Sequence, residues 1–241
     1  MKYIIHACPE RMWYVERYLV RSMLDQGIEN IDVICDENHI GNLESTMSSF
    51  SDMVGQGGSW HLSDDVIICR DFADRTAQES MGVICGYVWD RDVNQRFEGH
   101  TIPKNMWWSF PCIYIPNTIA RECAEWYYAD AKDPHSKYTW WRNQGKFDDF
   151  FFKEFLMLRY PDFDVYHMKP NLVDHVDYLI GGSLCNSDRK FKIVRAAFFE
   201  DVDLVDQLEE EIDKSIDENY LKEGILKDRS EERRVGKECR S

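Results

Sequence analysis

Three short runs in this chain gather side chains that can do acid–base or metal chemistry. The run Trp60-His61-Leu62-Ser63-Asp64-Asp65-Val66 sets two adjacent carboxylates where an apolar stretch ends. Two like charges at the end of a buried strand are costly as a bare pair, and a divalent cation removes that cost. Hard oxygen ligands suit Mg²⁺ or Mn²⁺, ions that commonly bridge to phosphate oxygens of a substrate. The same residues also read as an ordinary Asp-Asp turn with one carboxylate capping a helix. In Pro170-Asn171-Leu172-Val173-Asp174-His175-Val176-Asp177, followed by Gly181-Gly182-Ser183, a histidine stands between two acids. It is either a metal ligand oriented by its neighbours or a histidine satisfied by packing. In Gly145-Lys146-Phe147-Asp148-Asp149-Phe150-Phe151 an acid beside aromatic residues at a helix start suits a general base with a raised pKa. Helix capping by Asp148 or Asp149 is the other reading, and the two are compatible.

Chemistry of this kind needs a scaffold, and the N-terminal half alternates strand and helix patterns. Residues 2–8 (KYIIHAC) form a short apolar run with β-branched content, which predicts a buried first strand. Pro9 and Glu10 suit the first turn of a helix. Met12, Val15, Leu19 and Met23 then fall on one helical face, which Gly27 ends. Residues 31–35 (IDVIC) predict a second strand stopped by Asp36, Glu37 and Asn38. A short helix is expected over 43–50, a flexible turn over 55–59 (GQGGS), a strand from Trp60 into the Asp pair, and a further apolar stretch over 66–69. That order predicts an α/β fold with a right-handed parallel sheet. Ligands of such sheets gather at the C-terminal strand ends, here His6 to Cys8, Asp36 and Ser63 to Asp65.

The second half is more aromatic and less regular. Residues 111–116 (PCIYIP) predict an extended segment, and Asn117 a cap for a helix through Ile119, Cys123 and Trp126 to Tyr128. A loop rich in contact-forming side chains covers 140–146. A helix follows over 150–158, ended by Arg159-Tyr160-Pro161, and then a short strand over 162–166. Val205, Leu208, Ile212, Ile216 and Tyr220 keep helical spacing among many acids, so the last helix has one wet and one dry face. Without internal repeats or a low-complexity linker, the expectation is a single domain over 1–228.

Residues 229–241 (RSEERRVGKECRS) resemble the in-frame translation of a common sequencing-adapter oligonucleotide. They are set aside as a non-native tail; the expectation is a gene assembled from environmental sequence, phage or metagenomic, whose true C-terminus is missing. The formal charge of −15 becomes −17 without the tail, 24 basic residues against 41 acidic. That sign excludes a general phosphate-binding surface. A 44% apolar content excludes a disordered chain, and no run of residues is long and apolar enough for a membrane span or a signal-peptide core. A soluble, cytoplasmic protein is expected, in the host cytoplasm if viral. The seven remaining cysteines form no CxxC pair, which excludes the usual zinc-ribbon spacing and leaves free thiols in a reducing compartment.

The order of the three runs resembles the nucleotide-diphospho-sugar transferases of the GT-A fold. In that family an acid pair ends a central strand, and LSDDV (62–66) looks like it; an acidic pair before a helix is matched by GKFDDFFFKEFL (145–156). PNLVDH (170–175) resembles the family's Pro-Asn/Ser-Leu-Val-x-His segment most closely. The likeness spans roughly 2–183. A strict Asp-x-Asp has an acid where this chain has Ser63. The resemblance implies a GT-A, Rossmann-like, mainly parallel sheet flanked by helices, with 1–100 a nucleotide-sugar-binding half, 101–200 an acceptor half and 201–228 an acidic C-terminal helix. It implies Mn²⁺ or Mg²⁺ held by Asp65 and His175. Asp64 becomes a ribose or supporting contact, and Ala7, Cys8 and Asp36 line the nucleotide pocket. Asp149, or its neighbour Asp148, would be the base that activates an acceptor hydroxyl if the reaction inverts.

The donor implied is a nucleotide-diphospho-sugar. The acceptor is a saccharide or surface polymer, with a hydroxymethylated DNA base as the viral alternative. Arg142, Lys146, Arg189, Lys190 and Lys192 could form a local basic strip for the latter. Trp107, Trp108, Trp140 and Trp141 offer stacking faces for a sugar or base, or serve packing. Two other classes fit the same residues. A metal-dependent nucleotidyltransferase would use Asp64 and Asp65 but normally adds a glycine-rich phosphate loop that HACPERM lacks. A non-catalytic glycan- or protein-binding module would need the aromatics but neither metal nor nucleotide.

Overall fold

The computed structural model of this chain describes residues 1–88, 101–102, 110–133, 148–182, 196 and 198–220, with side chains as far as 214. Trp107, Trp108, Trp140, Trp141, Arg142, Lys146, Arg189, Lys190, Lys192 and the 229–241 tail lie outside the described residues. The chain divides into two compact units, 1–175 with 194–200, and 176–193 with 201–241.

The first unit is an α/β layer structure with a mixed, mostly parallel sheet flanked by helices, compatible with a Rossmann-like fold. Strand β1 (Lys2–Ala7) leads through a 3-10 turn at Pro9–Arg11 into helix α1, residues 12–25, which contains a π-helical turn at Val15–Leu19. Val15, Leu19 and Met23 are buried, and Gly27 takes the positive φ of 80° that lets the chain turn back. Strand β2 (Ile31–Cys35) pairs parallel with β1. Helix α2 (Asn42–Ser51) returns the chain to β3 (Gly58–Ser63), which pairs parallel with β1 on its other side. The three strand ends expected to gather ligands therefore lie along one edge, in the register Ala7↔Cys35 and His6↔Ser63.

Past the acid pair, β4 (Val66–Ile68) leaves the main sheet, and helix α3 (Phe72–Thr76) follows. Strands β5 (Ile84–Cys85), β6 (Thr101–Ile102), β7 (Cys112–Pro116) and β8 (Val165–His167) complete a seven-stranded sheet in the order β2-β1-β3-β7-β5-β8-β6. The sheet is not parallel throughout, because β7 runs antiparallel to both β3 and β5, and β6 antiparallel to β8. Strand β9 (Val173–His175) pairs with β4 in a separate two-stranded sheet.

Alternation of side chains along the strands divides two apolar layers. Ile4, Ile113 and Ile115 face the core beneath α2, helix α4 (Asn117–Trp126) and helix α5 (Asp148–Arg159), where Phe50, Phe151, Phe152 and Phe155 are fully buried. Tyr3 and Trp60 point the other way and meet Phe72 of α3. Two expectations shift by a residue or two. Asn117 is the first residue of α4 rather than its cap, because Pro116 already supplies the extended entry; its side chain instead accepts from Ser59 Oγ and donates to the Val54 carbonyl. Helix α5 begins at Asp148 rather than Phe150, so both carboxylates sit in its first turn, where negative charge is favourable.

In the second unit a short 3-10 turn (Asp177–Leu179) precedes Gly181 and Gly182, and helix α6 (Val202–Tyr220) buries Val205, Leu208 and Ile212. No helix among the described residues is long and apolar enough to cross a membrane.

Segment 170–172 is fastened to the end of β5 and the residues after it. Asn171, fully buried, donates to the Val88 carbonyl at 2.8 Å and accepts from Val88 N and His167 Nε2, while Leu172 N donates to Gly86 O at 2.7 Å. Gly86 permits this approach, since a Cβ there would stand 2.7 Å from Cys112 Sγ and 2.9 Å from Leu172 Cδ1. The Gly86→Ala variant should therefore lose about 1–3 kcal/mol of stability in urea unfolding, as overpacked cores do; an unchanged midpoint would show that the segment has room to move.

Candidate functional site

The site is built where β3 runs out. Asp64 and Asp65 follow its last residue and are 7% and 8% exposed. Arg11, from the 3-10 turn after β1, is 5% exposed and reaches both carboxylates through one nitrogen. Its Nη1 lies 2.7 Å from Asp64 Oδ1 and 2.5 Å from Asp65 Oδ2. The second Asp64 oxygen accepts from Cys8 N at 2.9 Å, and Tyr14 of α1 donates to the Val66 carbonyl at 2.7 Å. The loops after β1 and β3 are thus tied together across 53 to 56 residues of chain.

The β4–β9 pairing brings in the histidine. Val66 sits opposite His175 in that ladder, so Asp65, one residue earlier, meets the imidazole at the strand end. Asp65 Oδ1 lies 3.4 Å from His175 Nε2 and has no hydrogen-bond partner among the described residues. Two ligands about 2.0–2.2 Å from one ion lie roughly 3.0–3.5 Å apart, so these two atoms fit a shared metal ion. Asp177 is buried two residues further along the same backbone. Within the first unit, Asp65 and His175 are the pair whose ligand atoms could hold a metal ion. Asp174, whose side chain alternates to the other side of β9, accepts instead from His175 N and Ala196 N.

Electrostatics separates the two carboxylates. Burial raises the Asp64 pKa and the neighbouring Asp65 charge adds to it, against Arg11. Burial also opposes the Asp65 charge, but His175 and Arg11 outweigh it and hold Asp65 below the ordinary carboxylate range. Arg11 is itself raised, because Asp65 and Asp64 overcome its burial. Burial, with Asp64 beside it, raises the Cys8 thiol and keeps it protonated.

Asp36 continues from β2 beside Ala7, whose carbonyl accepts from Asp36 N at 2.9 Å. Both Asp36 oxygens accept backbone N–H groups of the following loop, from Ile40 and Gly41. At the head of α5, Asp148 accepts from Asn42 and Thr46 of α2 and from Asp149 N. Asp149 is raised to about 7, first by burial and then by Asp148. That value suits a base working near neutral pH.

Two features escaped the sequence reading. Arg11 carried one overlooked signal, a basic residue in the first turn of a helix, where the dipole disfavours it. The other is a pair of imidazoles on β1 and β3. His6 Nε2 lies 2.9 Å from His61 Nδ1, the rings stack, and Phe50 packs edge-on against His61. Burial lowers His6 to about 4 and pushes His61 well below its ordinary value, so both are neutral at pH 7. A histidine inside each apolar strand run was the available hint, since a buried polar group needs a partner.

Comparison with protein-family models, curated proteins and solved structures found no match for this chain.

The lowered imidazoles fix a sign for acid stability. Their contribution is fully present above the unfolded value of about 6.5 and is lost as pH falls towards the folded value. Asp149 acts oppositely, so the comparison is best made between variants. His6→Gln, which keeps a hydrogen-bonding group towards His61, should lose about 1–2 kcal/mol less than the parent between roughly pH 7.5 and pH 5. Parallel Tm-versus-pH curves would show that the pair does not titrate on unfolding.

Proposed function

We propose that this chain is a metal-dependent glycosyltransferase with a GT-A-like arrangement, moving a sugar from a nucleotide-diphospho-sugar to an acceptor hydroxyl. One observation carries the reading: Asp65 at the end of a central strand and His175 of PNLVDH, 110 positions apart in sequence, offer ligand atoms 3.4 Å from each other. The order of the three acidic runs supports it, as does the common edge formed by Ala7, Cys8, Asp36 and Asp64 at the C-terminal ends of parallel strands, where nucleotides bind in such sheets. Mn²⁺ or Mg²⁺ suits the carboxylate and imidazole pair, and would supply positive charge against a departing diphosphate.

The chain's own residues account for the rest of the reaction. Asp65 and His175 present one ligand atom each. Asp64 holds Cys8 N and Arg11 in fixed positions beside them. Asp149 takes the proton of the acceptor hydroxyl as its oxygen attacks the anomeric carbon. The bond from that carbon to the donor phosphate oxygen breaks, and its electron pair leaves with the nucleoside diphosphate. This course inverts the anomeric centre. Saccharides or surface polymers are the favoured acceptors, because a chain with 44 acidic and 29 basic residues repels nucleic acid.

Thermal unfolding with a panel of nucleoside diphosphates, with and without Mn²⁺, tests the donor site, since a ligand of the native state raises Tm in proportion to ln(1 + [L]/Kd). One nucleotide should shift Tm only when Mn²⁺ is present, and Asp65→Asn should abolish that shift. A nucleotide- and metal-independent response to glycans alone, unchanged in Asp65→Asn, would make the chain a binding module instead. Once turnover is measurable, the rate should rise with pH through about 7, as Asp149 loses its proton. Asp149→Asn should cost roughly 10²–10⁴ in kcat and remove that limb; survival of the limb would exclude Asp149 as the base.

A further inference from the structure

Arg11 is the buried charge that the proposed chemistry leaves unassigned. Two carboxylates at 7% and 8% exposure cannot remain ionised without a positive partner. In many acidic metal sites the ion is that partner, and folding then depends on metal. Here Arg11 Nη1 faces Asp64 Oδ1 at 2.7 Å and Asp65 Oδ2 at 2.5 Å, and Cys8 N supplies the remaining bond to Asp64. What is left over is Asp65 Oδ1, buried, without a hydrogen-bond partner among the described residues, and turned to His175.

We infer that Arg11 is a resident structural cation, a positioning residue that neutralises the Asp64–Asp65 pair whether or not metal is bound, so that the ion at Asp65 Oδ1 and His175 Nε2 is exchangeable and not required for folding. The division of labour is one fixed cation for the fold and one removable cation for the ligand. With Arg11 in place the acid pair and its guanidinium carry one net negative charge instead of two, which weakens the hold on a free divalent ion. The exchangeable half of the inference rests on the metal-site reading above; the structural half does not.

The test uses the full chain, Mn²⁺ alone as probe, and melting curves with chelator or Mn²⁺. The parent protein should melt at the same temperature with EDTA as without it, and gain only a few degrees from Mn²⁺. Arg11→Met in EDTA should lose roughly 10 °C, because one member of a buried ion cluster is gone. Mn²⁺ should restore at least half of that loss, and its Kd should fall roughly tenfold or more, since the ion then meets two unopposed carboxylates. The double variant Asp64→Asn with Arg11→Met removes one charge of each sign and should melt in EDTA within a few degrees of the parent. A parent whose Tm drops in EDTA would overturn the inference, as would equal Mn²⁺ shifts in parent and Arg11→Met. If Arg11→Met does not fold, the double variant decides: a folded double supports the charge role, and an unfolded one overturns it. A rescued double in a protein that Mn²⁺ never shifts would remove the metal reading while leaving Arg11 as the structural cation.

Discussion

The contact on which this site depends is the buried guanidinium of Arg11 between two adjacent carboxylates. Hydrophobic burial alone would drive Asp64 and Asp65 out of the interior, yet both remain within it. Arg11 resolves the conflict with short hydrogen bonds from a group that stays charged at any working pH. The arrangement also fixes topology locally. Arg11 comes from the turn after β1, the acids from the end of β3, and the backbone that follows them pairs as β4 with β9. Four strands that approach from different parts of the chain are held in one relation by a handful of polar atoms. The neutral imidazole pair of His6 and His61, one residue behind Ala7 and two behind Ser63, adds a second polar tie between the same two strands, and this one carries no charge.

Much of this was legible in the sequence, and for identifiable reasons. Local apolar runs gave β1 and the strand before the acids, which are buried, while the part-exposed edge strand β2 showed in its β-branched residues. The helical faces of α1 and α6 appeared in the 3.6-residue spacing of their apolar positions. The approach of His175 to Asp65 came from motif order, which carries spatial information that composition does not. The antiparallel course of β7 was hidden, since a run such as CIYIP fixes extension but not direction. Arg11 was hidden for another reason: a single arginine in a polar stretch looks like solvent-facing charge, and only the register of β1 against β3 turns it inward. Asn171 was quoted as part of a motif, but its two hydrogen bonds with Val88 required knowing which strand end lay beside it.

The electrostatic design separates sites by what surrounds each acid. Asp65 is held low by His175 and Arg11, Asp64 is satisfied by a backbone amide and Arg11, and Asp149 is raised by burial beside a second carboxylate. The same side-chain chemistry is thus tuned three ways by position, and these suit the ligand, brace and base of the proposed reaction. The excess of acid across the whole chain makes the inward-turned positive groups more consequential, since few cations are available to offset each buried carboxylate.

Asp148 has a further significance that its hydrogen bonds alone do not convey. It joins the first turn of α5 to Asn42 and Thr46 at the start of α2, and α2 itself begins directly after the loop that wraps the Asp36 carboxylate. The chain at the end of β2 and the first turn of α5 are consequently joined by way of α2. Through one carboxylate, the strand end that carries Asp36 and the helix turn that carries Asp149, more than a hundred residues apart in sequence, share a single continuous run of hydrogen bonds and helix.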